Sequence, residues 1–248
     1  MAEFERRYFE DPHFPPGLKG GDEVAGYGYY PGYFPIVEAQ LASLAEVSGA
    51  RTLLDAGCGK GALAEYARRA LHLKVAGTDR SVYALGHARR RAGGELSCRA
   101  DVCRLPFRDD GFDLVWSNGV LQYLEAGAAE EALEELTRVA RLAAFVSNIA
   151  AVERNSDWGK HDSLTRLYLT PGAWEGMARH ACQKRGDACR PLALPYEGES
   201  AILLLKAMRP SQAARMVELS IERMRRLGAP ARRPPRMERF LARCARES

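Results

Sequence analysis

From residue 36 to about residue 208, short apolar runs alternate with stretches whose apolar positions recur every three to four residues. This is the pattern of β-strands joined by amphipathic helices. Residues 36–47 read as a leading helix. Residues 52–56 (TLLDA) are a largely apolar run, as a strand covered on both faces requires, and helical spacing follows over 61–72. The pair repeats, with a strand at 74–78 and a helix at 82–91. A third strand is expected near 95–100, a fourth at 112–117, a helix over 129–141 and a fifth strand at 143–148. After a polar loop, Pro171 opens another helix, where its missing N–H costs nothing. Two last strands, near 188–194 and 200–206, lie close enough to pair antiparallel across a turn at 195–199. Strands alternating with helices imply an α/β protein: a seven-stranded, mostly parallel sheet with helices on both faces and a C-terminal antiparallel strand pair.

The two ends depart from this pattern. Residues 1–35 are rich in Gly, Pro and aromatic side chains, centred on FPPGLKGGDEVAGYGYYPGYFP. So many turn formers oppose long helices, while the aromatics oppose simple disorder; a segment lying over a surface or pocket meets both conditions. From residue 211 the chain reads as two helical pieces. Val217, Ile221, Met224 and Leu227 share one face, as do Met237, Phe240, Leu241 and Cys244, and Gly and Pro break the pattern between them. The expected division is a cover segment at 1–35, a central domain at 36–208 and an Arg-rich helical tail at 209–248.

Charge adds little to this picture. The net charge is +4, but the tail alone carries eleven Arg against four acidic residues, so everything before it is slightly acidic and offers no broad basic surface. The six cysteines (58, 98, 103, 182, 189 and 244) form no C-x-x-C pair and have no His at zinc-ligand spacing, so no metal is expected and reduced thiols are. No apolar run approaches the roughly 20 residues needed to cross a bilayer. The acidic start MAEFERRYFED does not read as a secretory signal. A cytoplasmic enzyme is the default expectation.

Chemistry enters at residues 53–62, LLDAGCGKGA. A strand ending in Asp55 runs straight into Gly57, Gly59 and Gly61, and such glycines let the backbone turn tightly and approach a ligand at the carboxyl end of a central strand. Dinucleotide enzymes carry G-x-G-x-x-G there, with a helix N-terminus facing pyrophosphate. D-x-G-x-G-x-G instead places a carboxylate inside the motif, which would repel phosphate but suits a ligand bearing an amino group and a sulfonium. This segment resembles the first motif of class I, Rossmann-like S-adenosylmethionine-dependent methyltransferases, and further matches follow in order over roughly residues 36–207. The resemblance implies a donor site at Asp55, Gly57, Cys58, Gly59 and Gly61. It implies Asp79 and Arg80 at the ribose, Asp101 and Val102 at the adenine, and Ser117 and Asn118 of FDLVWSN beside the methionine end. It further implies S-adenosylmethionine as cofactor, S-adenosylhomocysteine as product, and a methyl transfer for which the class has no universal catalytic residue.

The acceptor must then be read from the variable parts. Tyr27, Tyr29, Tyr30 and Tyr33 are either an aromatic wall over the substrate or packing at the sheet edge. The loop NSDWGKHDSLTRLYL carries His161, the best base candidate in the chain, with Trp158 beside it; the alternative is a solvent-exposed loop histidine. Gln122 and Tyr123 follow the fourth strand, near where the methyl group should sit, and SNGV lacks the paired prolines common in enzymes that methylate base amino groups. The leading expectation is therefore transfer to O, N or C of a small-molecule metabolite, such as one in natural-product biosynthesis. The alternative is an RNA or protein substrate anchored by the Arg-rich tail. That tail could equally pack on the core or join two copies as a homodimer, and a non-catalytic cofactor-binding protein is the third class.

Overall fold

A computed structural model of the chain describes residues 6–10, 34–91, 97–148, 164–186, 189–195, 200–228 and 236–248. The elements run α1 (Arg6–Glu10), α2 (Phe34–Ser48), β1 (Thr52–Ala56), α3 (Ala62–Ala70), β2 (Lys74–Asp79), α4 (Val82–Arg91), β3 (Ser97–Arg99) and β4 (Phe112–Asn118). Then come α5 (Ala126–Val139), β5 (Ala140–Asn148), α6 (Pro171–Arg185), β6 (Arg190–Ala193), β7 (Ser200–Leu205), α7 (Pro210–Arg226) and α8 (Met237–Glu247).

The strands form one seven-stranded sheet in the order β3-β2-β1-β4-β5-β7-β6. The first five are parallel to their neighbours, and β7 runs antiparallel to both β5 and β6. The order changes direction between β1 and β4, so the connections leaving these two strands diverge and open a crevice at their carboxyl ends.

Period-two alternation sorts the strand residues onto two faces. Leu53, Leu114, Trp116, Phe145 and Leu203 belong to one core layer. Leu54, Val115, Ala144, Val146 and Ile202 belong to the other. Trp116 and Phe145, partners in the β4–β5 register, stack with ring centres 3.9 Å apart. Asp113 is an acidic residue within this apolar pattern, and its carboxylate accepts from the Arg51 and Thr52 N–H groups at 2.7 and 3.1 Å and from Arg141 Nε at 2.9 Å. Burial pushes the Asp113 carboxyl up, but these donors together hold it below the ordinary range.

Several boundaries differ from expectation for identifiable reasons. Helix α5 passes into β5 with no intervening loop, its C-cap Ala140 already extended; VARLAAFV contains no turn former to mark that junction. Leu227 lies one residue past the end of α7 and is 54% exposed, so it does not share the face of Val217, Ile221 and Met224. Two cysteines are not reduced: Cys182 in α6 and Cys189 ahead of β6 form a disulfide, with Cα atoms 5.5 Å apart. The left-handed Gly186 ends α6 between them, a reversal that spacing alone does not reveal.

The tail packs on the first core layer. Met216, Val217 and Ile221 of α7 and Met237, Phe240 and Cys244 of α8 lie with Val37, Leu41 and Leu44 of α2. Gln212 Nε2 donates to the Val47 carbonyl at 2.7 Å, Arg223 pairs with Glu46, and Arg243 pairs with the buried Glu175 at 2.9 Å.

Candidate active site

The glycine turn begins where β1 ends. Gly57 and Cys58 donate their N–H groups to the Thr78 carbonyl at 2.7 and 2.8 Å, which clamps the turn to the end of β2. Gly57 and Gly61 have φ of +85° and +80°, a region that side chains rarely tolerate. Space restricts them as well: a Cβ on Gly57 would sit 2.2 Å from Val120 Cγ2, and one on Gly61 2.8 Å from Ala88 Cα. The second contact is the close approach of two successive helices, α3 and α4.

Three carboxylates follow from this arrangement. Asp79 closes β2, and its two oxygens accept from the Gly59 N–H at 2.9 Å and the Ser81 N–H at 2.8 Å. Asp55 is buried, and its Oδ2 has no hydrogen-bond partner. Burial first, and the charge of Asp79 second, push its carboxyl up to about 7, against the pull of the Ala64 N–H. Asp101 is exposed and accepts from the Cys103 N–H at 3.0 Å. Beside these groups the Cys58 thiol is held well above its usual range, by burial and then by Asp55 and Asp79. The Cys103 thiol is pushed up to about 12 by burial and then by Asp101. Neither cysteine is an activated thiolate.

Above the crevice lies α1. Tyr8 and Phe9 are 2% and 4% exposed, and the Tyr8 hydroxyl donates to that of Tyr123 at 3.0 Å. Lys60, inside the glycine turn, donates from Nζ to the Phe9 carbonyl at 3.1 Å. Tyr8, Phe9 and Tyr123 line a cleft that is partly open to solvent.

Of the residues singled out in the sequence, Gly57, Asp79, Arg80, Asp101, Val102, Asn118 and Tyr123 line this cleft. Asp55, Cys58, Gly59, Gly61, Ser117 and Gln122 are not in its wall. Gln122 is buried in a 3-10 turn, Leu121–Tyr123, where its carbonyl accepts from the Arg166 and Leu167 N–H groups. Tyr27, Tyr29, Tyr30, Tyr33, Trp158 and His161 lie outside the described residues. Tyr8, Phe9, Thr78, Val120 and Leu124 line the cleft without having been expected there. The only signal for the first two is an aromatic pair between charged residues in RRYFE.

The residue set fits a cationic donor better than a phosphate. Two carboxylates border the cleft, a third is buried at the turn with an orphaned oxygen, and Arg80 is the cationic side chain in the wall. Residues 54–146 match the family described as methyltransferase domain. These residues form a class I S-adenosylmethionine-dependent methyltransferase domain.

The methyltransferase domain is similar to curated proteins over part of their length. The malonyl-[acyl-carrier protein] O-methyltransferase of Pseudescherichia vulneris is 35% identical over 149 residues, covering 55% of this chain and 59% of that protein. Methyltransferase GfsG of Streptomyces halstedii is 32% identical over 130 residues, covering 46% of each chain. The chain thus spans less than two thirds of the length of these relatives. An O-methyltransferase family protein from Burkholderia thailandensis shares the fold at a TM-score of 0.53 and 18% identity, covering 70% of this chain and 55% of that one. The cofactor of this domain class is S-adenosylmethionine.

Proposed function

We propose that the protein is a cytoplasmic enzyme that transfers a methyl group from S-adenosylmethionine to O, N or C of a metabolite-sized acceptor. The observation that carries this reading is the aromatic cover. Tyr8, Phe9 and Tyr123 line the same cleft as Asp79, Asp101 and Asn118, and an aromatic wall of this kind suits a small acceptor. In the donor site, Asp79 would accept from the ribose hydroxyls, and Asp101 with the Val102 N–H would meet the adenine. Asp55 would face the cationic end, which supplies a counter-charge for its buried carboxylate. The bound cofactor supplies an activated methyl group; the protein aligns the acceptor and excludes water. His161, with Trp158 and the 27–33 tyrosines, is proposed for the acceptor side on sequence grounds alone.

The packing of the tail favours a small acceptor over RNA or protein. Its apolar stripes lie in the core, and Arg223 and Arg243 are engaged with Glu46 and Glu175. The malonyl-[acyl-carrier protein] enzyme named above acts on a carrier-borne acyl group, which makes acyl carboxylates reasonable first acceptors to try.

The test is calorimetric binding of S-adenosylhomocysteine followed by transfer of labelled methyl from S-adenosylmethionine to panels of small hydroxy, amino and carboxyl compounds. Wild type should bind, and Asp79→Ala should bind at least about tenfold more weakly, since a charge-assisted pair is worth roughly 1.5–3 kcal/mol. Label appearing only in RNA, or in protein side chains rather than in a carrier-borne acyl group, would overturn the small-molecule reading. Unchanged affinity of Asp79→Ala would overturn the ribose assignment.

A further inference from the structure

The five residues of α1 make little more than one helical turn, too short to hold their shape without help. Their position depends on what grips them. Tyr8 and Phe9 are buried, with the Tyr8 ring edge-on to that of Phe9 at 5.0 Å and to that of Tyr123 at 6.2 Å. Phe9 also packs on Tyr83 and Ala84 of α4, and a further grip comes from the donor turn. Lys60 stands between Gly59 and Gly61, and its ammonium meets the Phe9 carbonyl near the end of α1, where helix carbonyls lack partners within the helix. The same ammonium lies 5.9 Å from the Phe9 ring centre and 5.8 Å from that of Tyr83 on α4. Asp79 holds the backbone immediately before Lys60, through the Gly59 N–H.

We propose that Lys60 is a positioning residue that latches the α1 cover to the donor turn, so that ordering the turn seats Tyr8 and Phe9 over the acceptor side of the cleft. The inference rests on the methyl-transfer reading given above and names the device that couples its two half-sites. Two features make the coupling mechanical. The turn is pinned to Thr78 and Asp79, which fixes the backbone from which Lys60 reaches Phe9. The contact on α1 combines the Phe9 carbonyl with the face of the Phe9 ring, so the hold acts only while the Phe9 side chain is seated. Coupling is reciprocal: a donor that settles the turn favours the seated cover, and a seated cover tightens the donor by the fraction of time it is closed.

The experiment combines hydrogen–deuterium exchange at the amides of residues 6–10 with calorimetric binding of S-adenosylhomocysteine. It uses the full chain as wild type, Lys60→Met, Lys60→Arg, Phe9→Ala and the Lys60→Met/Phe9→Ala pair. Lys60→Met should speed exchange at least about fivefold and weaken binding by a similar factor. Lys60→Arg, which keeps the donor and the charge, should restore both to within about twofold. Phe9→Ala already loosens the cover, so adding Lys60→Met to it should change affinity by less than about twofold. Unchanged exchange in Lys60→Met would overturn the latch. So would an equal loss of affinity in both backgrounds, because Lys60 would then act on the donor itself. If wild type does not bind S-adenosylhomocysteine, the proposed donor is wrong, and the exchange measurements alone decide the latch.

Discussion

Burial and the neighbouring Asp79 hold the Asp55 carboxyl up at about 7 in the folded chain, whereas in the unfolded chain it ionises near pH 4. Between these values the folded state binds the extra proton, so stability from this group is greatest below about pH 4, falls as pH rises to about 7, and is level above. Asp55→Asn removes the ionisation. At pH 8 it should raise unfolding free energy by roughly 2–4 kcal/mol, and at pH 4 the gain should vanish. Urea unfolding at the two pH values reads this directly; an equal effect at both would show that Asp55 is not held protonated. The acidic residue was legible in the sequence as part of the D-x-G-x-G-x-G turn. Its orphaned Oδ2 was not, since that depends on which donors the fold brings near. Asp79 shows the same limit: its place after the second strand was readable, while its two backbone donors, Gly59 and Ser81, were not.

At the scale of elements, glycine gives a signed pair of outcomes. Gly61 combines a φ of +80° with a Cβ position 2.8 Å from the Ala88 backbone, so Gly61→Ala should cost about 2–5 kcal/mol. Gly176 lies mid-helix in α6 with open space around it, so Gly176→Ala should stabilise by about 0.5–1 kcal/mol. Denaturant midpoints check both, and equal signs would refute the packing argument. Elements with a clear period were readable for the same reason that they fold: Leu53 and Leu54, or Leu114 and Val115, serve opposite faces of one sheet. Elements without one were not. Helix α1 is shorter than two turns and shows no periodicity, so the cover was sought in the conspicuous tyrosines at 27–33, while the described residues place Tyr8 and Phe9 at the cleft. The junction of α5 and β5 was misplaced because Val139, Ala140 and Leu142 suit a helix and a strand alike.

For the molecule as a whole, the Arg-rich tail decides between two physical pictures. A nucleic-acid anchor would keep its charges extended to solvent and tolerate loss of an apolar side chain. The observed α8 instead buries Met237, Phe240 and Cys244 against α2 and α7, and its Arg243 reaches Glu175, whose Oε1 also holds the Arg179 guanidinium in α6. An integral helix of this kind is sensitive on one side only. Phe240→Ala opens a cavity in the core layer that also holds Leu53 and Trp116 and should cost about 3–4 kcal/mol. Arg239→Gln and Arg246→Gln, on the exposed side of the same helix, should stay within about 0.5 kcal/mol. If the tail served phosphate instead, the arginine variants would weaken binding to an RNA oligonucleotide and flatten its salt dependence, with stability little affected by Phe240→Ala. Urea unfolding of the three variants, with binding titrations at low and high salt, separates the two pictures. A large loss of stability confined to Phe240→Ala is the outcome expected of a tail that packs with α2 on the first core layer.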